Sequence, residues 1–299
     1  MANILWLDWE VPYVTQRVQE AATALGLELA AREINEFVFG VNARAGCADV
    51  VGVFEGGRDI RELYDILIMR TFFPRISEGL TIARLFSEAG KVVIDQSLTN
   101  QGYVISKMHD YLILAQQGLP VPNSWQLCNL VEVQRIAQNI GYPCVLKAVH
   151  GAYGNHVHLV KNADELQRKL WRYPVGDLML QEYLPAAEDF RVITVGYQAL
   201  PKFISRKPRS GDFRTNFELG GDSQAHDLAD HPALRDLAER AARTLQREFA
   251  GVDIRFKDGQ PVLLEVNRRP SFQNFEQTTG LDVAAAFLRY AHSKWLAQT

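Results

Sequence analysis

The sequence predicts an α/β protein of more than one domain, and three observations carry that expectation. Residues 1–97 alternate short apolar runs with helical patterns, the arrangement of a small open parallel sheet. The later residues add hairpins between helices, an α+β pattern. The chain has 299 residues, about twice a typical domain length.

The elements follow in order. Asn3–Leu7 is an apolar run of strand length. Thr15–Leu25 sets Val18, Ala21, Ala22 and Leu25 on one helical face, and Gly26 stops it. Val50–Phe54, Asp65–Met69 and Lys91–Asp95 read as further strands, with a helix over Ile76–Gly90. Ser106–Gln117 is helical and closes at Gly118 with Pro120 and Pro122 beyond; Leu130–Asn139 is a second helix, ending at Gly141. Cys144–Ala148 and Val157–Val160 flank the loop HGAYGNH as a hairpin. Asp164–Trp171 reads as helix and Leu178–Tyr183 as strand. Phe190–Val195 and Leu200–Ser205 form two runs about Gly196, and a basic loop spans Arg206–Gly221. His231–Phe249 reads as one helix with Pro232 at its start, where a missing N–H costs little. Val252–Phe256 and Pro261–Val266 make a hairpin, and Val283–Trp295 closes the chain as a helix. The expected domains are 1–97, 98–185 and 186–299.

Composition narrows the function. Hydrophobic residues make up 47% and charged residues 22%, which excludes a disordered or fibrous chain. The net charge of −3 gives no reason to expect nucleic acid or an anionic membrane as partner. Residues 1–97 carry 9 basic and 14 acidic side chains, a net of −5, while the other two thirds are each +1. Three scattered cysteines, Cys47, Cys128 and Cys144, make neither a disulfide framework nor a zinc finger. No signal peptide or 18-residue apolar run is present, so a reducing cytoplasm is expected. No P-loop, GxGxxG, HExxH or GxSxG occurs. A nicotinamide-dependent oxidoreductase built on the first third therefore lacks its glycine fingerprint.

Four segments carry chemistry. In GVDIRF (251–256) and LLEVNRRP (263–270), Glu265 and Asn267 stand two apart on a strand and share a face. A neighbouring antiparallel strand would add Asp253, giving the hard oxygen ligands that magnesium takes beside phosphates; the alternative is a solvated sheet face. In YPCVLKAVHGAYGNHVHLV (142–160), Lys147 lies within an apolar strand, where an ammonium needs a partner. A phosphate would serve, with Gly151, Ala152 and Gly154 letting backbone N–H groups approach it; the alternative is a lysine reaching out from an edge strand. His150, His156 and His158 lack the cysteine or carboxylate partners that a metal site would want. LMLQEYLP (178–185) is a strand end whose backbone could read a purine edge. In SRKPRSGDFRTNFELGG (205–221), Arg206, Lys207, Arg209 and Arg214 outnumber two acids, Asp212 and Glu218, with Phe213 and Phe217 interleaved. That suits a loop gripping a compact anion as well as a solvated one.

Taken in order, these motifs resemble the ATP-grasp ligases, specifically the RimK-type glutamate ligases and the ligases of amino-carrier-protein pathways. The resemblance runs from about residue 98 to 295: Lys107 opening a helix, YPCVLK, LQEYL, DFR (189–191), GDFRTN (211–216), GVDI, LLEVN and FEQTTGLDV (275–283). It implies a pre-ATP-grasp α/β domain followed by a two-lobed ATP-grasp fold with ATP between the lobes. It implies ATP and two magnesium ions as cofactors, with manganese an allowed substitute. By this resemblance Lys107 and Lys147 contact the ATP phosphates. Gln181, Glu182, Tyr183 and Leu184 form the adenine hinge, and Asp189 takes the ribose position. Arg191, Arg214 and Asn216 are catalytic positions near the phosphates, and Asp253, Glu265 and Asn267 hold the metal ions. The implied reaction joins an amino acid, glutamate favoured, to an amine- or carboxylate-bearing acceptor through an acyl phosphate. The acceptor would be a peptide, carrier protein or small molecule. The family often forms dimers or tetramers, so the resemblance suggests a homo-oligomer.

Two departures stand out. Arg268 and Arg269 follow Asn267 where small residues are usual, and Ala152-Tyr153-Gly154-Asn155 replaces Ser-Trp-Gly-Arg in the flap. Arg268 or Arg269 could bind a substrate carboxylate, or one could face solvent while the other pairs with an acid. Arg206 and Lys207 would suit an acidic substrate. The competing reading is a catalytically silent ATP-binding regulatory module, against which stands the retention of the whole metal triad.

Overall fold

The computed structural model describes residues 2–8, 12–44, 47–70, 74–100, 102–129, 131–150, 157–172, 176–185, 187–208 and 222–298. The expectations for Arg209, Arg214 and Asn216, and for the flap at 151–156, lie outside these residues.

The first third holds β1 (Asn3–Leu7), α1 (Pro12–Leu25), β2 (Glu28–Arg32), β3 (Val38–Arg44), β4 (Cys47–Glu55), β5 (Arg58–Asp59), α2 (Ile60–Leu63), β6 (Ile66–Met69), α3 (Ile76–Glu88) and β7 (Val92–Ile94). A parallel sheet of order β2-β1-β6-β7 forms as expected. Ile4, Leu5, Trp6 and Leu7 are wholly buried, because helices cover both faces of a parallel sheet. Val50–Phe54 does not join it. That run lies within β4, in a separate antiparallel sheet β3-β4-β5. The edge position belongs instead to β2, whose sequence Glu-Leu-Ala-Ala-Arg is half-buried and too polar to read as a strand.

The middle holds α4 (Lys107–Gln116), β8 (Ser124–Gln126), α5 (Val133–Ile140), β9 (Cys144–Ala148), β10 (Val157–Val160), α6 (Ala163–Leu170) and β11 (Leu178–Glu182). Its antiparallel sheet runs β10-β9-β11-β8. Lys147 on β9 is thus on an interior strand.

The last third holds β12 (Asp189–Val195), β13 (Gln198–Arg206), β14 (Ser223–Asp227), α7 (Pro232–Thr244), β15 (Phe249–Lys257), β16 (Gln260–Asn267), α8 (Gln273–Thr279) and α9 (Val283–Leu296). The sheet order is β14-β13-β12-β15-β16. The helix expected to reach Phe249 stops at Thr244. Gln246 takes a positive φ of 52°, which breaks the helical ladder, and Phe249 begins the next strand. Leu245 continues the apolar face of α7, so periodicity alone did not mark the stop.

One apolar core is shared between the two ends of the chain. Ile4, Trp6 and Val18 pack in the same cluster as Phe249, Phe272, Phe287 and Leu288. The FEQTTG stretch serves this junction. The Glu276 carboxylate accepts from Tyr13 Oη (3.0 Å), Arg17 Nε (3.1 Å), and the Val283 (2.8 Å) and Ala284 (3.2 Å) amides that open α9. It satisfies orphan donors of a helix start while holding α1 to the C-terminal helix. A second core joins Tyr111 and Leu114 of α4 to Met179 of β11 and to Val252, Ile254 and Leu263 of the last sheet. That packing sets α4 between the two later sheets. Among the described residues, no helix is long and apolar enough to cross a membrane.

Candidate active site

The hairpin β15–β16 brings the three proposed oxygen ligands together. Asp253 pairs with Glu265 and Gly251 with Asn267 in the ladder, and the register slips between Asp253 and Ile254, leaving Leu264 without an opposite residue. Such a bulge twists its strand and re-aims a side chain. Asn267 Nδ2 lies 3.1 Å from Asp253 Oδ2, so the amide turns its nitrogen to Asp253 and keeps its carbonyl oxygen as the end for a cation.

Asp253 is already gripped. Arg191 on the neighbouring β12 meets it with two arms, Nε to Oδ1 at 2.8 Å and an Nη to Oδ2 at 2.7 Å. Arg206 adds 2.9 Å to Oδ1 and reaches Asp189 Oδ1 at 2.7 Å with its Nε. Burial alone would raise the Asp253 carboxyl, but Arg191 and Arg206 more than offset it and hold it below the usual aspartate range. Arg206 therefore is not in the open loop where the sequence put it. It ends β13, is 3% exposed, and is committed to two carboxylates rather than facing an acidic substrate. Lys207 is exposed, with its amide on the Asp222 carbonyl at 2.9 Å.

Two lysines complete the patch. Lys107 is the first residue of α4 after the Ser106 cap, and its Nζ stands 3.4 Å from Glu265. A cation there opposes the helix dipole, and both the lysine and the helix start favour an anion. Lys147 is 8% exposed. Its Nζ donates to Tyr111 Oη at 2.9 Å, and burial lowers its pKa to about 8. A buried ammonium hydrogen-bonded to a neutral phenol remains short of countercharge. The described residues thus gather four cations (Lys107, Lys147, Arg191, Arg206) against three carboxylates (Asp189, Asp253, Glu265). That leaves one positive charge in excess, which favours an anion at the patch.

The proposed hinge runs off β11. Gln181 Nε2 donates to Tyr111 Oη (3.0 Å) and Ser124 Oγ (2.9 Å). Glu182 accepts from the Asn123 amide (3.0 Å) and Lys257 Nζ (2.6 Å). Tyr183 is half-buried. The buried Leu184 gives its carbonyl to Arg255 at 2.9 Å. The end of β11 and the residues after it are therefore fastened to the sheet that carries Asp253 and Glu265.

Arg268 and Arg269 both turn to the parallel sheet of the first third. Arg268 donates to the Met69 and Arg70 carbonyls (2.7 and 2.9 Å), and Arg269 to Asp8 Oδ1 (2.7 Å). Arg70 answers from its side, donating to the Arg268 and Pro270 carbonyls at 3.0 and 3.1 Å. Arg268 is thus half-buried against carbonyls and does not face solvent, while Arg269 makes the expected acid pair. Asp8 and Arg70 directly follow β1 and β6, at the point where the parallel sheet's order reverses. Open α/β sheets leave a crevice at such a point.

Sequence reasoning missed Tyr111, Arg247 and Arg70. Tyr111 stands four residues after Lys107 on the same helical face, a signal that was available. Arg247, which donates to the Val266 carbonyl and to Asp110 at 2.8 Å, was hidden inside an overlong helix. Nothing local marked Arg70.

The backbone is close at Gly251. An added Cβ would fall 2.6 Å from Pro270 Cβ and 3.7 Å from Arg191 Nε. Gly251→Ala is expected to push the 268–270 turn outward and cost about 1–3 kcal/mol, read as a lower urea midpoint at unchanged slope.

The chain is similar to known proteins. The RimK-like ATP-grasp domain model matches residues 105–291. The chain is 30% identical over 227 residues to ribosomal protein bS6–L-glutamate ligase of Shigella boydii serotype 4, covering 73% of this chain and 74% of that protein. The same-named Escherichia coli K12 protein matches equally. Among solved structures, the ATP-grasp ligase PsnB complexed with minimal precursor superposes with a TM-score of 0.72 at 20% identity, over 100% of this chain and 99% of that one. The macrocyclase MdnC of Microcystis aeruginosa, bound with precursor peptide MdnA, gives 0.71 at 15% identity, over 97% and 99%.

Proposed function

This chain belongs to the RimK-like ATP-grasp family of ligases, and we propose that it joins an amino acid to a peptide or protein acceptor at the expense of ATP. The observation that carries this reading is the convergence of Lys107, Lys147, Arg191 and the Asp253–Glu265–Asn267 set on one patch. Glutamate is the favoured amino acid because the relatives are named glutamate ligases. A peptide or protein acceptor is favoured because those relatives are named for a ribosomal protein and the neighbouring structures hold precursor peptides. The proposed domain division is 1–97, 98–185 and 186–299, and the proposed setting is the cytoplasm, where the free thiols of Cys128 and Cys144 persist.

In this reading Lys107 and Lys147 bind the phosphates, with residues 181–184 along the adenine and Asp189 near the ribose. The donor set fits magnesium in chemistry. Glu265 and Asn267 would hold it, and Asp253 borders the same patch with its acceptor sites spent on Arg191, Arg206 and Asn267. Magnesium, when bound, would neutralise charge on the transferring group. A substrate carboxylate attacks the γ-phosphorus and forms an acyl phosphate as ADP leaves. An amine then displaces inorganic phosphate to form the amide. Arg191, Arg214 and Asn216 are assigned to stabilise the phosphoryl oxygens. No enzyme nucleophile is required.

The test is release of ADP and phosphate with magnesium and ATP, across amino acids paired with peptide and protein acceptors. Mass spectrometry of each reaction identifies the product. The expected result is an amide product that disappears in a Glu265→Ala, Asn267→Ala double variant. ATP binding with no product in any pairing would replace this reading with a silent regulatory module, and absence of ATP binding would end both.

A further inference from the structure

One hydroxyl ties together three parts of the proposed nucleotide site. The bulge in β16 takes Leu264 out of the ladder. Its carbonyl is met by Tyr111 Oη, which donates its only proton there. The two lone pairs of the same oxygen accept from Lys147 Nζ at 2.9 Å and Gln181 Nε2 at 3.0 Å. A phenol has one donor and two acceptor sites, and all three are used. Tyr111 is 4% exposed, so water does not compete. Lys147 Nζ also lies 5.0 Å from the centre of the Tyr111 ring. The fixed end of the arrangement is α4, which Arg247 fastens to the carbonyl of Val266, on the other side of Glu265.

We propose that Tyr111 is a positioning residue for nucleotide. Its hydroxyl sets Lys147 and Gln181 at fixed distances from the strand bearing Glu265 and Asn267, so that the phosphates meet the lysine and the metal strand together. This rests on the reading of Lys147 as a phosphate contact. Without the hydroxyl, a four-methylene lysine has no directional hold and is free to retract along the ring. The Leu264 carbonyl also loses its partner, and the bulge its brace.

A double-mutant cycle tests this. Tyr111→Phe keeps the ring and removes the three hydrogen bonds; Lys147→Met removes the cation. MgATP affinity is measured by calorimetry for wild type, both single variants and the double, with thermal midpoints alongside. Where binding is too weak for calorimetry, the cycle is read on KM for ATP. Tyr111→Phe is expected to weaken MgATP about tenfold in the wild-type background, the loss expected when a hydrogen bond to a charged group goes. In the Lys147→Met background it should weaken MgATP less than about twofold, because the two residues act as one unit. Tyr64→Phe, which removes a hydroxyl held 2.6 Å from Glu55 in the first domain, should lower the thermal midpoint and leave MgATP affinity unchanged. Equal loss in both backgrounds, or no loss in Tyr111→Phe, would overturn the positioning role while the ligase reading stands. Wild-type protein that binds no MgATP would instead remove the ligase reading itself.

Discussion

Asp253→Ala is expected to destabilise the fold by about 3–5 kcal/mol, the usual cost of leaving a buried charge without its partner. Arg206 would keep Asp189, but both arms of Arg191 end on Asp253, and Arg191 would be stranded. The expected contrast is Glu265→Ala. Its Lys107 contact is longer, at 3.4 Å, and partly exposed, so its loss should cost less than about 1 kcal/mol. Both variants should lose ligation, by about a thousandfold or more where charge on a transferring phosphoryl group is left unneutralised. Asp253→Ala should show by far the larger drop in denaturant midpoint. The pH dependence has a definite sign. The folded-state carboxyl is held below its unfolded value, so its stabilisation is present above the ordinary aspartate pKa, about 3.9. It is lost as pH falls through the lower folded value. The gap between wild type and Asp253→Ala should therefore close only in strong acid. A gap unchanged between pH 7 and strong acid would refute the ion-pair account.

Lys147→Met should do the opposite to stability. Burial holds the folded pKa near 8, against 10.5 for a free lysine, so the folded state carries its charge at a cost of about 3 kcal/mol below pH 8. Methionine has similar bulk and no charge. The variant is expected to be more stable by an amount approaching that cost at pH 7. The advantage should shrink as pH rises from 8 and become small by about 10.5, where the folded lysine is neutral and the unfolded one half so. MgATP affinity should fall about a hundredfold or more, since a charge-assisted phosphate contact in a dry site is lost. Denaturant titrations at pH 7, 9 and 10.5 and calorimetry at pH 7 give both numbers. A gain in stability with unchanged nucleotide affinity would separate Lys147 from the phosphates. A loss of stability would mean that the ammonium already has sufficient countercharge. The two variants thus separate a carboxylate that the fold needs from a lysine that it tolerates for function.

What was legible beforehand follows from locality. The β15–β16 hairpin was readable because Glu265 and Asn267 are two apart and Asp253 lies across a short turn. Lys147 drew notice because a charge inside CVLKA conflicts with its neighbours. The parallel sheet was readable from its apolar runs, except at β2, whose alanines and charges carry no strand signal, and at β4, whose partners no pattern names. Arg206 was misplaced because its two carboxylates come from Asp189 on an adjacent strand and Asp253 forty-seven residues later.

The sequence by itself determined the fold class, the family, and which side chains could serve phosphate and metal, because those depend on residue type and short spacing. Only the tertiary structure decided what each cation faces. It turned Arg268 and Arg269 toward the carbonyls and carboxylate at the ends of β6 and β1, saturated Asp253 with two arginines, and set Tyr111 where Lys147, Gln181 and the Leu264 carbonyl meet. Those choices depend on how sheets pack and where a bulge frees one carbonyl, and contacts between residues far apart along the chain leave no period or spacing to read.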